Sequence, residues 1–284
     1  MEDEVRKPYR KAPIGHWSHS SLMAYLRNPL AWYKRYVEHV YDTPSGPASY
    51  VGRAGHLALQ HFYEGADKEV AIAAGLSYLQ SIADFDINFG RHKTRAEKKK
   101  KRAHMEREYT QVIGFYLEKA PKHKVLAVEV KASTEVEGLA LPLKAVSDLV
   151  VESKGYPGEV DIVDHKFVDS YSSLKEAKTL FVIQALFNYY TVKALLGRPV
   201  RRFIVYECKK SRNADGKKQL RRYALDFTQC RHEFAVFHRL INDATTEISR
   251  TRVFLPNPSD MFEGENSFDI YRLGLVDESE GADE

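Results

Sequence analysis

A mixed α/β fold is predicted by three features of the chain: a first third that reads as helices, three strands in succession after Pro121, and a long amphipathic helix followed by a strand pair. In "HSSLMAYLRNPLAWYKRYVEHVY" serines stand at cap positions and apolar residues recur at helical spacing, while Pro29 splits the stretch into two short helices. "GPASYVGRAGHLALQHFYEG" continues as a turn and a helix, and residues 67 to 119 read as helices interrupted near "DINFGRHK".

Beyond Pro121 the period changes. "KVLAVEVKASTEV", "LALPLKAVSDLVVES" and "GEVDIVDHKFVDS" are rich in β-branched residues and are joined at Gly138 and at "KGYPGE", which predicts a meander. "SSLKEAKTLFVIQALFNYYTVKALLG" is an amphipathic helix stopped by Gly197 and Pro199. "VRRFIVYECKK" and "KQLRRYALDF" flank the turn "NADGK", and "TQCRHEFAVFHRLINDATTEISR" predicts a last helix.

At 284 residues the chain has enough length for a sizeable core. Its 43 basic and 39 acidic residues give a net charge of only +4, so distribution matters more than total. "RHKTRAEKKKKRAHMERE" concentrates positive charge, whereas the tail "VDESEGADE" has the composition of an acidic, disordered segment. Such a chain suits an anionic partner met along one face. Two cysteines are too few for a disulfide framework and fit a reducing compartment. With no apolar run of membrane-spanning length and no signal-peptide core in "MEDEVRKPYRKAP", a soluble, cytoplasmic protein without a membrane partner is expected.

The chemistry starts from "GEVDIVDHKFV". Alternation along a strand puts Asp164 and Lys166 on one face beside apolar neighbours. Charges placed there are paired, bound to metal or used chemically, because an uncompensated charge in a low dielectric is costly. The spelling acid-x-Lys alone decides nothing, since it occurs seven times, beginning at Glu97, Glu129, Glu152, Asp164, Glu176, Glu207 and Asp215. Only the matches at Glu129, Asp164 and Glu207 have strand-like surroundings. Asp148 interrupts the apolar face of the preceding strand, and a hairpin turning at "KGYPG" brings it within reach of Asp164. Two carboxylates so close repel unless a cation lies between them, and oxygen ligands favour Mg²⁺ or Mn²⁺. Beside them, Lys166 is placed to stabilise charge developing on a phosphodiester.

Asp148 followed by Asp164-His165-Lys166 resembles the PD-(D/E)XK nuclease superfamily, and the surrounding pieces resemble its RecB-type branch. The opening "HSSLMAYLRNPLAWYKRYV", the Gly-x-x-x-His of Gly52 and His56, Glu129 on the strand before Asp148, and Gln184 on the helix after Lys166 stand in that branch's order. The resemblance implies a restriction-endonuclease-like core, a mixed central sheet flanked by helices, over 121–250. It implies a helical N-terminal elaboration over 1–120 that contributes His56, and a C-terminal extension over 251–284. It implies Asp148, Asp164, Lys166 and Gln184 as catalytic residues. His56, Asp148, Asp164 and the backbone carbonyl of His165 become metal ligands, with Glu129 either a second-metal ligand or an exposed strand residue. Nucleic acid is expected along Lys34, Arg35, Arg53, Lys98, Lys99, Lys100, Lys101 and Arg102.

Two departures carry consequences. Asn28 precedes Pro29 where iron-sulfur members carry Cys, and the two cysteines lie elsewhere, so no iron-sulfur cluster is expected. Asn188 stands where the branch often has the Tyr of Gln-x-x-x-Tyr. The implied activity is a metal-dependent DNA exonuclease acting on single strands or duplex ends in recombination, repair or replication, with a possible recombination or replication protein as partner, in a bacterial or phage-infected cell. A structure-selective or restriction-type endonuclease and a noncatalytic nucleic-acid-binding subunit remain the alternatives.

Overall fold

Pro29 ends one helix and opens the next, as its missing N–H and fixed φ require. In the computed structural model, which describes residues 11–40, 45–173, 177–214, 218–251 and 253–257, α1 (His19–Arg27) is capped by the Ser18 hydroxyl and α2 (Pro29–Tyr36) by Asn28 Oδ1, which accepts from Ala31 N. The acidic tail, the acid-x-Lys match at Asp215 and the acid of the match at Glu176 lie outside the described residues.

The chain forms two compact units. The first takes residues 1–43, 133–144 and 234–284. It holds α1, α2, the two-residue β1 (Trp17–Ser18) and all but the first three residues of α7 (Arg231–Arg250). Trp17 and Trp32 stack at its centre with ring centroids 5.9 Å apart, and Tyr25 and Phe254 close on Trp32. Both indole N–H groups are satisfied, Trp17 donating to Thr245 Oγ1 and Trp32 to Ser21 Oγ, each at 2.9 Å. β1 pairs in parallel with Leu143 and Lys144, the residues of β3 (Leu143–Glu152) that belong to this unit.

The second unit takes residues 44–132 and 145–233. It contains α3 (Pro47–Tyr63), α4 (Lys68–Ser81), α5 (Arg95–Glu118), most of β2 (Val125–Thr134) and β3, then β4 (Val160–Val168), α6 (Ala177–Leu196), β5 (Val200–Lys209) and β6 (Leu220–Asp226). The sheet is mixed, as the sequence predicts: β2 pairs β3, β3 and β4 are antiparallel, β4 and β5 parallel, β5 and β6 antiparallel. α6 supplies the crossover that a parallel β4–β5 pair needs.

The core of this unit joins Val51, Ala54 and Leu59 of α3 to Tyr109, Val112 and Ile113 of α5, and to Leu149, Val163 and Ile204 of the sheet. Two glycines set how closely its layers approach. A Cβ on Gly55 would run into the Phe167 ring, and one on Gly75 into the Tyr109 hydroxyl and the Ala54 carbonyl. α5 begins with a capping box: Thr94 Oγ1 accepts from Glu97 N, and Glu97 Oε2 accepts from Thr94 N. The acid-x-Lys match at Glu97 is thereby accounted for as a helix start.

Candidate active site

The β3–β4 hairpin turns through Ser153 to Glu159, with Gly155 and Gly158 at φ of 87° and 88°, a region that glycine enters without steric cost. Its register pairs Leu149 with Val163 and Val150 with Ile162, and Asp148 and Asp164 are the next residues along the two strands. Asp148 Oδ2 accepts the His165 backbone N–H at 2.8 Å, so the two strands are tied at the level of the carboxylates.

Three elements then converge. α3 delivers His56, whose Nδ1 lies 3.2 Å from Asp148 Oδ2. β2 delivers Glu129, which sits in the middle of a strand at φ 49°. That left-handed conformation costs a residue bearing a Cβ roughly 1–2 kcal/mol, and such outliers gather at functional sites. His56, Glu129 and Asp148 bring one ring nitrogen and two carboxylate oxygens within 4.8 Å of one another.

Asp164 belongs to the neighbouring half of the site. Its Oδ1 accepts from Gln184 Nε2 at 2.6 Å, and its Oδ2 lies 2.9 Å from Lys166 Nζ. The Lys166 contact is an ion pair by distance but not an aligned hydrogen bond, and Oδ2 has no hydrogen-bond donor among the described residues although it is buried. Gln184 Oε1 accepts from Lys166 Nζ at 3.1 Å, so one amide holds both the acid and the amine.

Burial raises the Asp164 carboxyl, and the nearby Asp148 charge raises it further, to about 6. Burial also works to raise Asp148, but His56 and the His165 N–H outweigh it and hold that carboxyl down at about 2. Burial opposes protonation of His56, yet the Asp148 carboxylate prevails and lifts the imidazole to about 9. Glu129 is raised by burial and by Asp148. The Asp148 charge thus works against ionisation of both Asp164 and Glu129.

The residues fit a divalent cation. One imidazole and two carboxylates converge, and the buried, undonated Asp164 oxygen lies alongside. His56, Glu129 and Asp148 form the convergent set; Asp164 is held by Lys166 and Gln184 instead.

Further residues support the site. Asn188 accepts at Oδ1 from Ser147 Oγ at 2.6 Å and donates from Nδ2 to the Gln184 carbonyl, tying α6 to the residue before Asp148. The His165 ring stacks with those of Tyr63 and Tyr206 and shares a hydrogen bond of 2.9 Å with the Tyr116 hydroxyl. The sequence signal for Asn188 was its departure from Gln-x-x-x-Tyr; the tyrosines offer none, being spread over three elements.

The cationic residues differ in availability. Lys34 pairs with Glu38 at 2.7 Å, and the Arg35 guanidinium lies 5.4 Å from the Tyr36 ring. In the second unit Lys99 and Lys100 are exposed, Lys101 is half-buried, Lys98 lies over the Phe89 ring, and Arg53 donates to Ser45 Oγ. Arg102 is committed within the fold: it donates to the Leu79 and Ile82 carbonyls at the end of α4 and pairs with Asp84. Among the described residues no helix is long and apolar enough to cross a membrane.

A family model described as the PD-(D/E)XK nuclease superfamily matches residues 16–261. The crystal structure of a candidate exonuclease from Eubacterium rectale aligns with a TM-score of 0.53 and 14% identity, over 88% of this chain and 86% of that one, a likeness of fold alone. The structure of SSO0001 aligns over 89% of this chain and 91% of that one at 13% identity, with a TM-score of 0.32 that carries no argument. No curated protein matches.

Proposed function

Because the chain belongs to the PD-(D/E)XK nuclease superfamily, we propose that it is a divalent-metal-dependent DNA exonuclease acting on single strands or duplex ends. The observation that carries this reading is the convergence of His56, Glu129 and Asp148 beside the Asp164, Lys166 and Gln184 group. His56, Glu129 and Asp148 would hold the ion, Mg²⁺ or Mn²⁺, with Asp164 and the His165 carbonyl as the adjoining oxygens. When bound, such an ion polarises a phosphoryl oxygen and makes water a better nucleophile.

The chain's own residues do the rest. Lys166 offers a positive charge to the phosphate as negative charge develops on it, an interaction strengthened by a partly dehydrated setting. Gln184 fixes Lys166 and Asp164 together, so that amine and carboxylate keep one geometry. Exposed Lys99 and Lys100, with Arg53 and Lys101, supply phosphate contacts that carry no sequence information. Arg102 is left out of this set because all three of its guanidinium nitrogens are engaged by Asp84, Leu79 and Ile82.

The exonuclease form follows the RecB-type branch that the ordered motifs resemble. A structure-selective or restriction-type endonuclease would use the same site. The test is degradation of end-labelled single-stranded, linear duplex and closed circular DNA with Mg²⁺, Mn²⁺ or EDTA, comparing wild type with Lys166→Ala. Metal-dependent loss of the linear substrates that spares circles supports the exonuclease, cutting of circles favours the endonuclease, and DNA binding without cleavage returns the noncatalytic alternative.

A further inference from the structure

Gly52 lies in the interior of α3, four residues before His56, where helix geometry brings the two onto neighbouring positions of one face. At about 100° per residue, Gly52 projects between the directions of Gly55 and His56. Gly55 abuts Phe167 of β4, and His56 reaches Asp148, so this is the face of α3 turned to the catalytic strands. Yet a Cβ built on Gly52 meets nothing within 4 Å among the described residues. Neither backbone conformation nor packing calls for glycine there, and glycine weakens a helix interior relative to alanine.

The gap has a structural origin. β4 ends at Val168, one residue past the Phe167 that Gly55 touches, so β4 itself does not continue along the helix. The chain after β4 is drawn toward β5 and β6. Glu207, itself buried, accepts from the Ser172 N–H and hydroxyl, and the Tyr223 and Tyr171 hydroxyls donate to the carbonyls of Ser172 and Gln219. On the helix beside this gap stand His56, one turn away, and exposed Arg53, next in sequence. These are the surroundings of a passage for a flexible polyanion.

We propose that Gly52 keeps open the path of the substrate, the space its absent side chain leaves being occupied by the sugar–phosphate backbone of a nucleic-acid strand next to the bond to be cut. The proposal rests on the nuclease reading and deepens it by assigning a steric substrate contact to one residue. Gly52 is a positioning and access residue, with no part in bond making.

The experiment compares Gly52→Ala and Gly52→Leu with the same changes at Gly114, which is interior to α5 and also meets nothing within 4 Å. Thermal melting, Mn²⁺ titration in the absence of DNA, cleavage kinetics, and DNA binding in a Lys166→Ala background are measured for each. Gly52→Leu is expected to melt no lower than wild type and bind Mn²⁺ as wild type does, while DNA affinity and kcat/KM fall by about tenfold or more through KM. Gly52→Ala is expected to melt higher and lose less, and both Gly114 variants to cleave normally. An active wild type with a Gly52→Leu variant that binds and cuts DNA equally well overturns this proposal alone. Loss of Mn²⁺ binding in Gly52→Leu also overturns it, because the residue then supports the site and not the path. A wild type that cuts no DNA with either metal removes the nuclease reading, and this proposal with it.

Discussion

The Nδ1 atom of His56, carried by α3, lies 3.2 Å from Oδ2 of Asp148, carried by β3, and the pair holds the imidazole at about 9 and the carboxyl at about 2. A proton thereby sits where a cation is called for. A metal that takes His56 as ligand has to displace that proton, because only neutral imidazole ligates. Near pH 7.5, Mn²⁺ binding is therefore expected to release about one proton from His56, read by calorimetry in buffers of different ionisation enthalpy; buffer-independent heats would refute it. The metal-free protein carries a matching pH dependence. Since the folded pKa of His56 lies above its ordinary value, its contribution to stability is complete below about 6.5 and is lost as pH rises through about 9. In EDTA, the melting-temperature difference between wild type and His56→Gln should shrink from pH 7 to 9.5.

Gln184 holds Asp164 through its amide nitrogen and Lys166 through its amide oxygen, so changing either atom breaks one link. Gln184→Glu removes the donor to Asp164 and puts a second carboxylate beside it, in a place where burial and Asp148 already push Asp164 up to about 6. The expected result is a fall in kcat of about a hundredfold with little change in DNA affinity, against about a hundredfold to a thousandfold for Lys166→Ala. Single-turnover cleavage beside a DNA-binding isotherm measures both, and a loss confined to affinity would assign Gln184 to substrate binding instead.

Much of this site was legible because strand alternation and turn chemistry are local signals. "KGYPG" fixes where the β3–β4 hairpin turns, and parity then brings Asp148 within reach of Asp164 without knowledge of the rest of the fold. Acid-x-Lys was ambiguous in sequence because the partners that each acid meets, which separate its copies, are not written locally. Glu97 closes a capping box, Glu152 pairs with Lys124 at 2.8 Å, and Glu207 is spent on Ser172 and Tyr223. The commitment of Arg102 to Leu79, Ile82 and Asp84 and the link from Asn188 to Ser147 depend on how helices dock, which composition does not encode. Glu129 stayed undecided for a related reason: a positive φ at a residue other than glycine has no sequence signature.

That backbone conformation makes Glu129 separable into two roles. Asn and Gly both accept the left-handed region more readily than Glu does, so Glu129→Asn and Glu129→Gly relieve strain while removing the carboxylate from the His56 and Asp148 group. Both variants are expected to melt within a few degrees of wild type, or above it, and to bind Mn²⁺ about tenfold more weakly. Unchanged affinity would show that Glu129 is only a strand residue, and a large fall in melting temperature would show that its side chain holds the strand in that conformation.

Gly55 and Gly75 make the opposite prediction to Gly52, although all three stand inside helices of one unit. A methyl group at Gly55 meets the Phe167 ring, and one at Gly75 meets the Tyr109 hydroxyl and the Ala54 carbonyl. Tyr109 is fully buried and donates to the Ile72 carbonyl at 2.8 Å, so it has no free direction in which to yield. Overpacking of this kind costs about 1–3 kcal/mol, more than the roughly 1 kcal/mol that alanine gains over glycine in a helix. Gly75→Ala is therefore expected to lower the urea midpoint without changing the slope of the transition, and Gly55→Ala to do the same while also shifting His56 against Asp148. The pair separates stability from function: Gly75→Ala protein that remains folded should keep wild-type Mn²⁺ affinity, whereas Gly55→Ala should weaken it. Equal metal affinity in both would mean that Phe167 gives way without moving α3.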